Sequence, residues 1–360
     1  MTSPERVTAA RLAAQQLTGV RARSAEDVAD RLLAVQAQDP RGMRLAVRSR
    51  WPGATTAAVD DALTTRRSLV VSWLNRGTLH LVAAADYWWL HPLTTPQLAT
   101  ANTRRLRQEG VTEAQADLGV DVVAGAVAEG PQTRRALRDR LDAAGVPTRG
   151  QALVHVLLAA SLRGHVVRGP VVSGEQAFVA THDWLGPAPE PVDRDTALGR
   201  LARRYLAGHG PAGPRDLARW AGVPLGDARR GLRRIEDELV PVADELVDLA
   251  DRVPAEELPP PRLLGPYEPV LLGWASREPL VGAHRQIVTS NGLVRAVALA
   301  GGRVAGTWGL ADGTMTLRLF DPVPAGVLDA LAEDAADVLR FLGLPPRELV
   351  VAAPDRPLSR

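Results

Sequence analysis

The sequence predicts an α+β chain of 360 residues: three tandem winged-helix domains, then a small C-terminal β-barrel-like domain with a covering helix. Three observations carry that expectation. A block of helical apolar spacing that closes on two β-rich runs recurs three times along the chain. The run Pro259-Pro260-Pro261 breaks the pattern. Beyond it the sequence changes to short strand-like runs separated by Asn-Gly, Gly-Gly and Asp-Gly pairs.

The first block, residues 1–115, opens with a helix over Thr8 to Leu17. A second helix starts at Ser24, an N-cap followed by Glu26 and Asp27 in the first turn. After the extended segment discussed below comes a third helix. Leu69 to Trp73 and Thr78 to Val82 then flank the turn residues Leu74-Asn75-Arg76-Gly77 as a hairpin. Asp86 to Arg107 continues as helix, interrupted at Pro92 and Pro96. The second block, 116–190, has helices over Asp121 to Ala128, Thr133 to Ala143 and Gly150 to Arg163. Its hairpin, Val166 to Val172 and Ala177 to Thr181, turns on Ser173-Gly174-Glu175-Gln176. The third block, 191–255, has helices over Thr196 to Ala207, Pro214 to Trp220 and Leu225 to Ile235. Its hairpin runs from Leu239 to Val242 and from Leu246 to Leu249, around Asp244-Glu245. Three helices followed by a hairpin is the winged-helix pattern, a frequent DNA reader. In the C-terminal region, 256–360, strands are expected at Val270-Leu271-Leu272, Gln286-Ile287-Val288, Leu293 to Leu299, Arg303 to Trp308 and Thr314 to Leu319. Turns are expected at Asn291-Gly292, Gly301-Gly302 and Asp312-Gly313, with a closing helix from Ala325 to Leu342.

Composition narrows the chemistry. Apolar residues make up 46% and charged residues 23%, ordinary for a globular protein. Formal net charge is +2, yet the pI is about 9.6, because every basic side chain is Arg and none is Lys. Guanidinium suits phosphate and guanine edges. Arg-rich stretches such as Arg41 to Arg50, Arg134 to Arg140 and Arg229 to Arg234 alternate with acidic ones, so a basic face can hide behind a small net charge. With zero Cys, thiolate chemistry and Cys-ligated metals are excluded. The 7 His are scattered without a metal-ligand spacing, so neither a metal nor a cofactor is expected. No run is long and apolar enough for a membrane span, and a cytoplasmic location is expected. Gly208, Gly210 and Gly213 have dinucleotide-loop spacing but follow a helix. Pro211 and Pro214 also remove the backbone donors a pyrophosphate needs.

Gln36-Ala37-Gln38, followed by Asp39-Pro40, is the segment most able to carry chemistry. On a helix, residues two apart point away from each other; in extended chain they share a side. Pro40 pushes the residue before it out of the helical region. Both amides should therefore lie on one side, able to hold a water from two directions. Asp39 should turn the other way and take a structural role. A glutamine pair near a helix end is also an ordinary surface feature, and taken alone it identifies nothing.

Three segments taken together resemble the AlkZ/YcaQ family of bacterial winged-helix DNA glycosylases. They are Val35-Gln36-Ala37-Gln38-Asp39-Pro40, Ser72-Trp73-Leu74-Asn75-Arg76-Gly77-Thr78-Leu79-His80, and Leu271-Leu272-Gly273 through His284-Arg285 to Gly306-Thr307-Trp308. The resemblance spans nearly the whole chain in order. It implies three winged helices with a C-terminal β domain, and a catalytic motif of two polar residues around an aliphatic one. The second polar residue is Gln in the AlkZ branch and Asp in the YcaQ branch; Gln36 and Gln38 resemble the former. That branch implies removal of 7-alkylguanine lesions and unhooking of interstrand crosslinks made by natural genotoxins. Double-stranded DNA is the expected partner and a monomer the expected state. Arg41, Arg44, Arg76, His80, His284 and Arg285 are the expected DNA contacts. Where relatives often carry Phe-Asp before Leu-Leu-Gly, this chain has Tyr267-Glu268-Pro269. Two further readings stay open here: a non-catalytic DNA-binding regulator, and a protein that sequesters a genotoxic drug.

Overall fold

A computed structural model describes residues 3–172, 174–255, 257–289 and 292–352. They pack into two compact units that interleave along the chain. One comprises Met1–Val59, Ala202–Trp220 and Ile235–Arg360; the other comprises Asp60–Leu201 and Ala221–Arg234.

In the unit built around residues 60–201, two hairpins share one antiparallel sheet. The strands run Thr78–Ala83, Leu69–Leu74, Val166–Val172, Glu175–Ala180, and Val71 opposite Arg168 joins the two hairpins. The turn of the first hairpin is a short 3₁₀ segment, Asn75–Gly77, with Arg76 at φ 56° and Gly77 at φ 74°. Helices Glu113–Ala128, Arg134–Ala143 and Ala152–Leu162 enclose a core that includes Trp73, Val120, Leu137, Leu141, Val156 and Phe178. Two of these helices carry side-chain N-caps, Thr112 on Gln115 N–H and Thr133 on Ala136 N–H. Pro92 does not interrupt its helix as expected. The helix runs Ala84–Thr94 through it, and a new one starts with Pro96 in its first turn. Ser173, in the second hairpin's expected turn, lies outside the described residues.

In the other unit, helix Ser3–Ala14 is followed by helices Ala25–Leu32 and Pro40–Arg48, with the two-residue strand Val35–Gln36 between the latter two. Ser24 accepts from Asp27 N–H, as its sequence position predicted. The hairpin Leu239–Ala243/Leu246–Leu249 forms a two-stranded sheet of its own. A five-stranded sheet follows the order Val350–Ala352, Thr314–Leu319, Arg303–Ala311, Val297–Ala300, Arg262–Leu264. Its first pair is parallel and the others are antiparallel.

The expected barrel is corrected here to an open sheet, because its two outer strands are edges and do not pair. Its covering helix, Ala325–Phe341, is present. The turns at Gly301-Gly302 and Asp312-Gly313 have positive φ at both residues, the geometry that suits the strand twist of a two-residue hairpin. Asn291 of the third expected turn lies outside the described residues. Two further expectations change. Val270-Leu271-Leu272 sits in the one-turn helix Pro269–Leu272, because Pro269 presets a first-turn φ and the apolar run is too short to specify a strand. Gln286-Ile287 lies in the 3₁₀ turn Arg285–Ile287, and Val288 makes only an isolated bridge to Val294.

Candidate active site

Leu33 ends the second helix at φ 61°, and the backbone then runs extended through Val35 and Gln36. Asp39 begins the next helix. Its carboxylate accepts from Gly42 N–H at 2.6 Å, and Pro40 occupies the first turn. The structural role expected of Asp39 is thus that of a helix N-cap. The two glutamines, one residue apart in extended chain, meet: Gln36 Nε2 donates to Gln38 Oε1 at 2.5 Å. Gln36 is buried at 8% exposure while Gln38 is exposed, so the pair bridges from the core to the surface. A carbonyl oxygen has two lone pairs, which leaves Gln38 Oε1 able to accept from a water as well.

The capped helix is fixed firmly. Arg48 at its end donates to Asp334 at 2.6 Å and Asp337 at 2.7 Å on the covering helix, and to the carbonyl of Leu263. Burial is the largest single influence and lowers the Arg48 pKa, but the two carboxylates together outweigh it and raise it. Just beyond it, Arg50 and Glu268 form a fully buried ion pair at 2.6 Å, with Gln15 Oε1 accepting from the same guanidinium nitrogen. Near the other end, the carbonyl and ring of Pro266 press on the Cα of Gly42 so closely that any Cβ there would clash. This contact holds the segment Gly265-Pro266-Tyr267 against the first turns of the helix. The sequence marked Glu268 only as a departure from the family pattern and Arg50 only as the end of an Arg-rich stretch, and did not pair them. They are 218 residues apart, and no local pattern connects them.

The expected DNA contacts are differently placed. Arg41 is exposed on the first turn of the capped helix, and Arg44 lies one turn on, its guanidinium donating to Pro40 O at 2.8 Å. His284 is half-buried, stacked on Phe320 with centroids 4.2 Å apart, and its Nε2 is 3.8 Å from Asp321. Arg285 starts the 3₁₀ turn that follows. In the other unit, Arg76 sits at the hairpin turn. His80 is buried at 2% exposure, its Nδ1 2.9 Å from the carbonyl of Thr78. Burial first, then the neighbouring Arg76 charge, hold its pKa down to about 3, so it is a neutral side chain of the sheet and presents little surface to a ligand. The glycines with dinucleotide-loop spacing have packing roles. Gly208 lies against the backbone of Arg31 and Leu32, and Gly210 against Asp248. Among the described residues no cluster of three or more His, Asp and Glu side chains could hold a metal.

The profile of the family described as DNA glycosylase AlkZ-like matches residues 29–341. An interstrand DNA cross-link repair glycosylase from Streptomyces sahachiroi is 29% identical over 350 residues, covering 89% of this chain and 91% of that protein. The solved structure of Streptomyces sahachiroi DNA glycosylase AlkZ matches with a TM-score of 0.77 at 26% identity, over 97% of this chain and 98% of that one. These matches define the class of protein as a DNA glycosylase. The matched profile covers most of the sequence, and the chain belongs to the AlkZ-like family of DNA glycosylases.

Proposed function

We propose that this chain is a monofunctional glycosylase for purines made cationic by alkylation, 7-alkylguanine above all, and that Gln36 and Gln38 position the hydrolytic water. The observation that carries this reading is the contact between their two amides beside the helix capped by Asp39. A guanine alkylated at N7 carries a positive charge and leaves readily, so little acid catalysis is needed. Water oxygen bonds to the anomeric carbon as the bond to N9 breaks. The released electron pair neutralises the base, and the water's proton passes to solvent. Neutral amides are poor bases, so their work is orientation and polarisation, effects that serve as a substantial share of barrier lowering in preorganised sites. Unmodified bases, as poor leaving groups, should be untouched.

The Streptomyces sahachiroi relative, an interstrand DNA cross-link repair glycosylase, supports extending the reading to interstrand crosslinks, and we take their source to be a natural genotoxin. A crosslinked base is tethered and cannot swing fully out, so attack must occur in place. Arg41, Arg44 and Arg76, with His284 and Arg285, are the proposed contacts to double-stranded DNA, and His80 supports the hairpin that carries Arg76. We read the three helix–hairpin blocks as winged helices with the boundaries given above and the C-terminal region 256–360 as a separate β domain, in a monomeric, cytoplasmic protein. Among the described residues no helix is long and apolar enough to cross a membrane. Incubating purified protein with a duplex carrying one 7-methylguanine, then cleaving abasic sites with alkali, tests the activity. Strand cleavage at the lesion is expected; intact strands would overturn it.

A further inference from the structure

Tyr267 has a φ of 56°, in the left-handed region that bulky side chains avoid. Such a conformation survives only where the surroundings enforce it. They do so here from both directions. On the N-terminal side, Trp308 Nε1 donates to Leu264 O at 2.9 Å, Gly265 packs on Leu45, and Pro266 is wedged on Gly42. On the C-terminal side, Glu268 is locked in its buried pair with Arg50. Tyr267 N–H itself donates to Val294 O at 3.2 Å. The residue so held is aromatic and only half-buried, between two neighbours that fix the backbone. It lies beside the helix that Asp39 caps, where Pro266 is wedged on Gly42, and Asp39 directly follows the exposed Gln38; burial first, then the Asp39 charge, raise the pKa of its hydroxyl.

We propose that Tyr267 is a DNA-contacting residue of this site, its ring stacking on the nucleobase next to the sugar that the glutamine pair addresses. Every base has a π-face, so an aromatic ring held rigidly at the surface contacts DNA regardless of sequence, and ordering it in advance lowers the entropy lost on binding. A ring whose only function was to fill the core would be buried and would have no need of an enforced left-handed backbone. The inference rests on the glycosylase reading above, and its test separates the two.

Three variants are compared with wild type: Tyr267→Asn, which accepts the left-handed backbone; Tyr267→Phe, which keeps the ring; and Tyr267→Ala. Single-turnover excision of 7-methylguanine is measured together with thermal unfolding. Fluorescence is also followed on binding a duplex with 2-aminopurine beside a tetrahydrofuran abasic analogue. Losing one stacking contact should slow excision or weaken binding by roughly ten- to a hundredfold in Tyr267→Asn and Tyr267→Ala. The melting temperature of Tyr267→Asn should be unchanged or higher, and Tyr267→Phe should restore most of what was lost. The 2-aminopurine should be quenched by wild type and Tyr267→Phe, not by Tyr267→Asn. If wild type leaves 7-methylguanine in place yet the quench follows the ring, the catalytic reading fails and the contact stands. If Tyr267→Asn excises and quenches as wild type does, or loses activity only together with its fold, the contact is overturned and the catalytic reading is untouched.

Discussion

Removing the Gln38 side chain separates catalysis from stability, because the two effects differ in size. Among the described residues Gln38 Oε1 accepts from Gln36 Nε2 at 2.5 Å, and Gln38 itself is exposed. Gln38→Ala therefore deletes one neutral hydrogen bond at the surface, a stability loss of about 1 kcal/mol. For the reaction, if the pair holds the attacking water, the same deletion removes one of its preorganised partners. A comparable loss elsewhere costs about 2.7–4 kcal/mol of barrier, roughly a hundred- to a thousandfold in rate. Single-turnover excision of 7-methylguanine, with enzyme well above its dissociation constant, should fall by that factor while the melting temperature and DNA affinity barely move. Gln36→Ala should behave alike. The double variant should lose less than the product of the two single losses, since a water displaced once cannot be displaced again. Gln38→Asp should keep activity on small cationic lesions, because a carboxylate can accept from both Gln36 Nε2 and water. A Gln38→Ala protein that excises at the wild-type rate would refute the water-holding role.

Breaking the buried pair by Glu268→Ala strands the Arg50 charge and should cost about 3–5 kcal/mol in urea unfolding followed by tryptophan fluorescence; a change under about 1 kcal/mol would contradict the burial argument. Gly42→Ala should destabilise by about 1–3 kcal/mol and slow excision, because its methyl must push Pro266 and the following Tyr267 off the helix. An unchanged rate would show that this wedge does not position the site. Burial is the first cause holding His80 and His209 down to about 3, against an ordinary value near 6.5. Across that window the unfolded chain takes up protons that the folded chain refuses, so stability should fall as pH drops below about 6.5, by on the order of 1 kcal/mol per histidine per pH unit. Stability that stays level from pH 7 to pH 5 would oppose this. DNA affinity should fall steeply with salt, and Arg41→Ala should reduce the logarithmic slope by about 0.9 without lowering the melting temperature. A slope identical to wild type would remove Arg41 from the phosphate contacts.

What was legible in the sequence was local. Ser24 announced a helix start, and the β-rich runs around Asn75-Arg76-Gly77 and Asp244-Glu245 announced hairpins, because capping and turn geometry are decided within a few residues. The shared side of Gln36 and Gln38 followed from alternation and Pro40, and the structure brings their amides into contact. One local signal went unused. Thr112 with Gln115 forms a capping box, so the helix begins at Glu113, well before the Asp121 expected from apolar spacing. The sheet's outer strands, Arg262–Leu264 and Val350–Ala352, were not legible; three residues are too few for alternation to register. Neither was the network behind the site. Arg48 with Asp334, and Arg50 with Glu268, join residues hundreds of positions apart, and such pairing is decided by tertiary packing.

The interleaving of the two units along the chain has a consequence for synthesis. Arg48 waits for Asp334, 286 residues later, to leave the ribosome; at 5–20 residues per second that is roughly 14–57 s. For that interval the helices of the first 59 residues, with the glutamine pair among them, lack the C-terminal strands and helix that complete their core. A nascent chain paused before residue 334 should therefore be protease-sensitive in its N-terminal segment. Chaperone demand should be greatest there, even though that segment is made first.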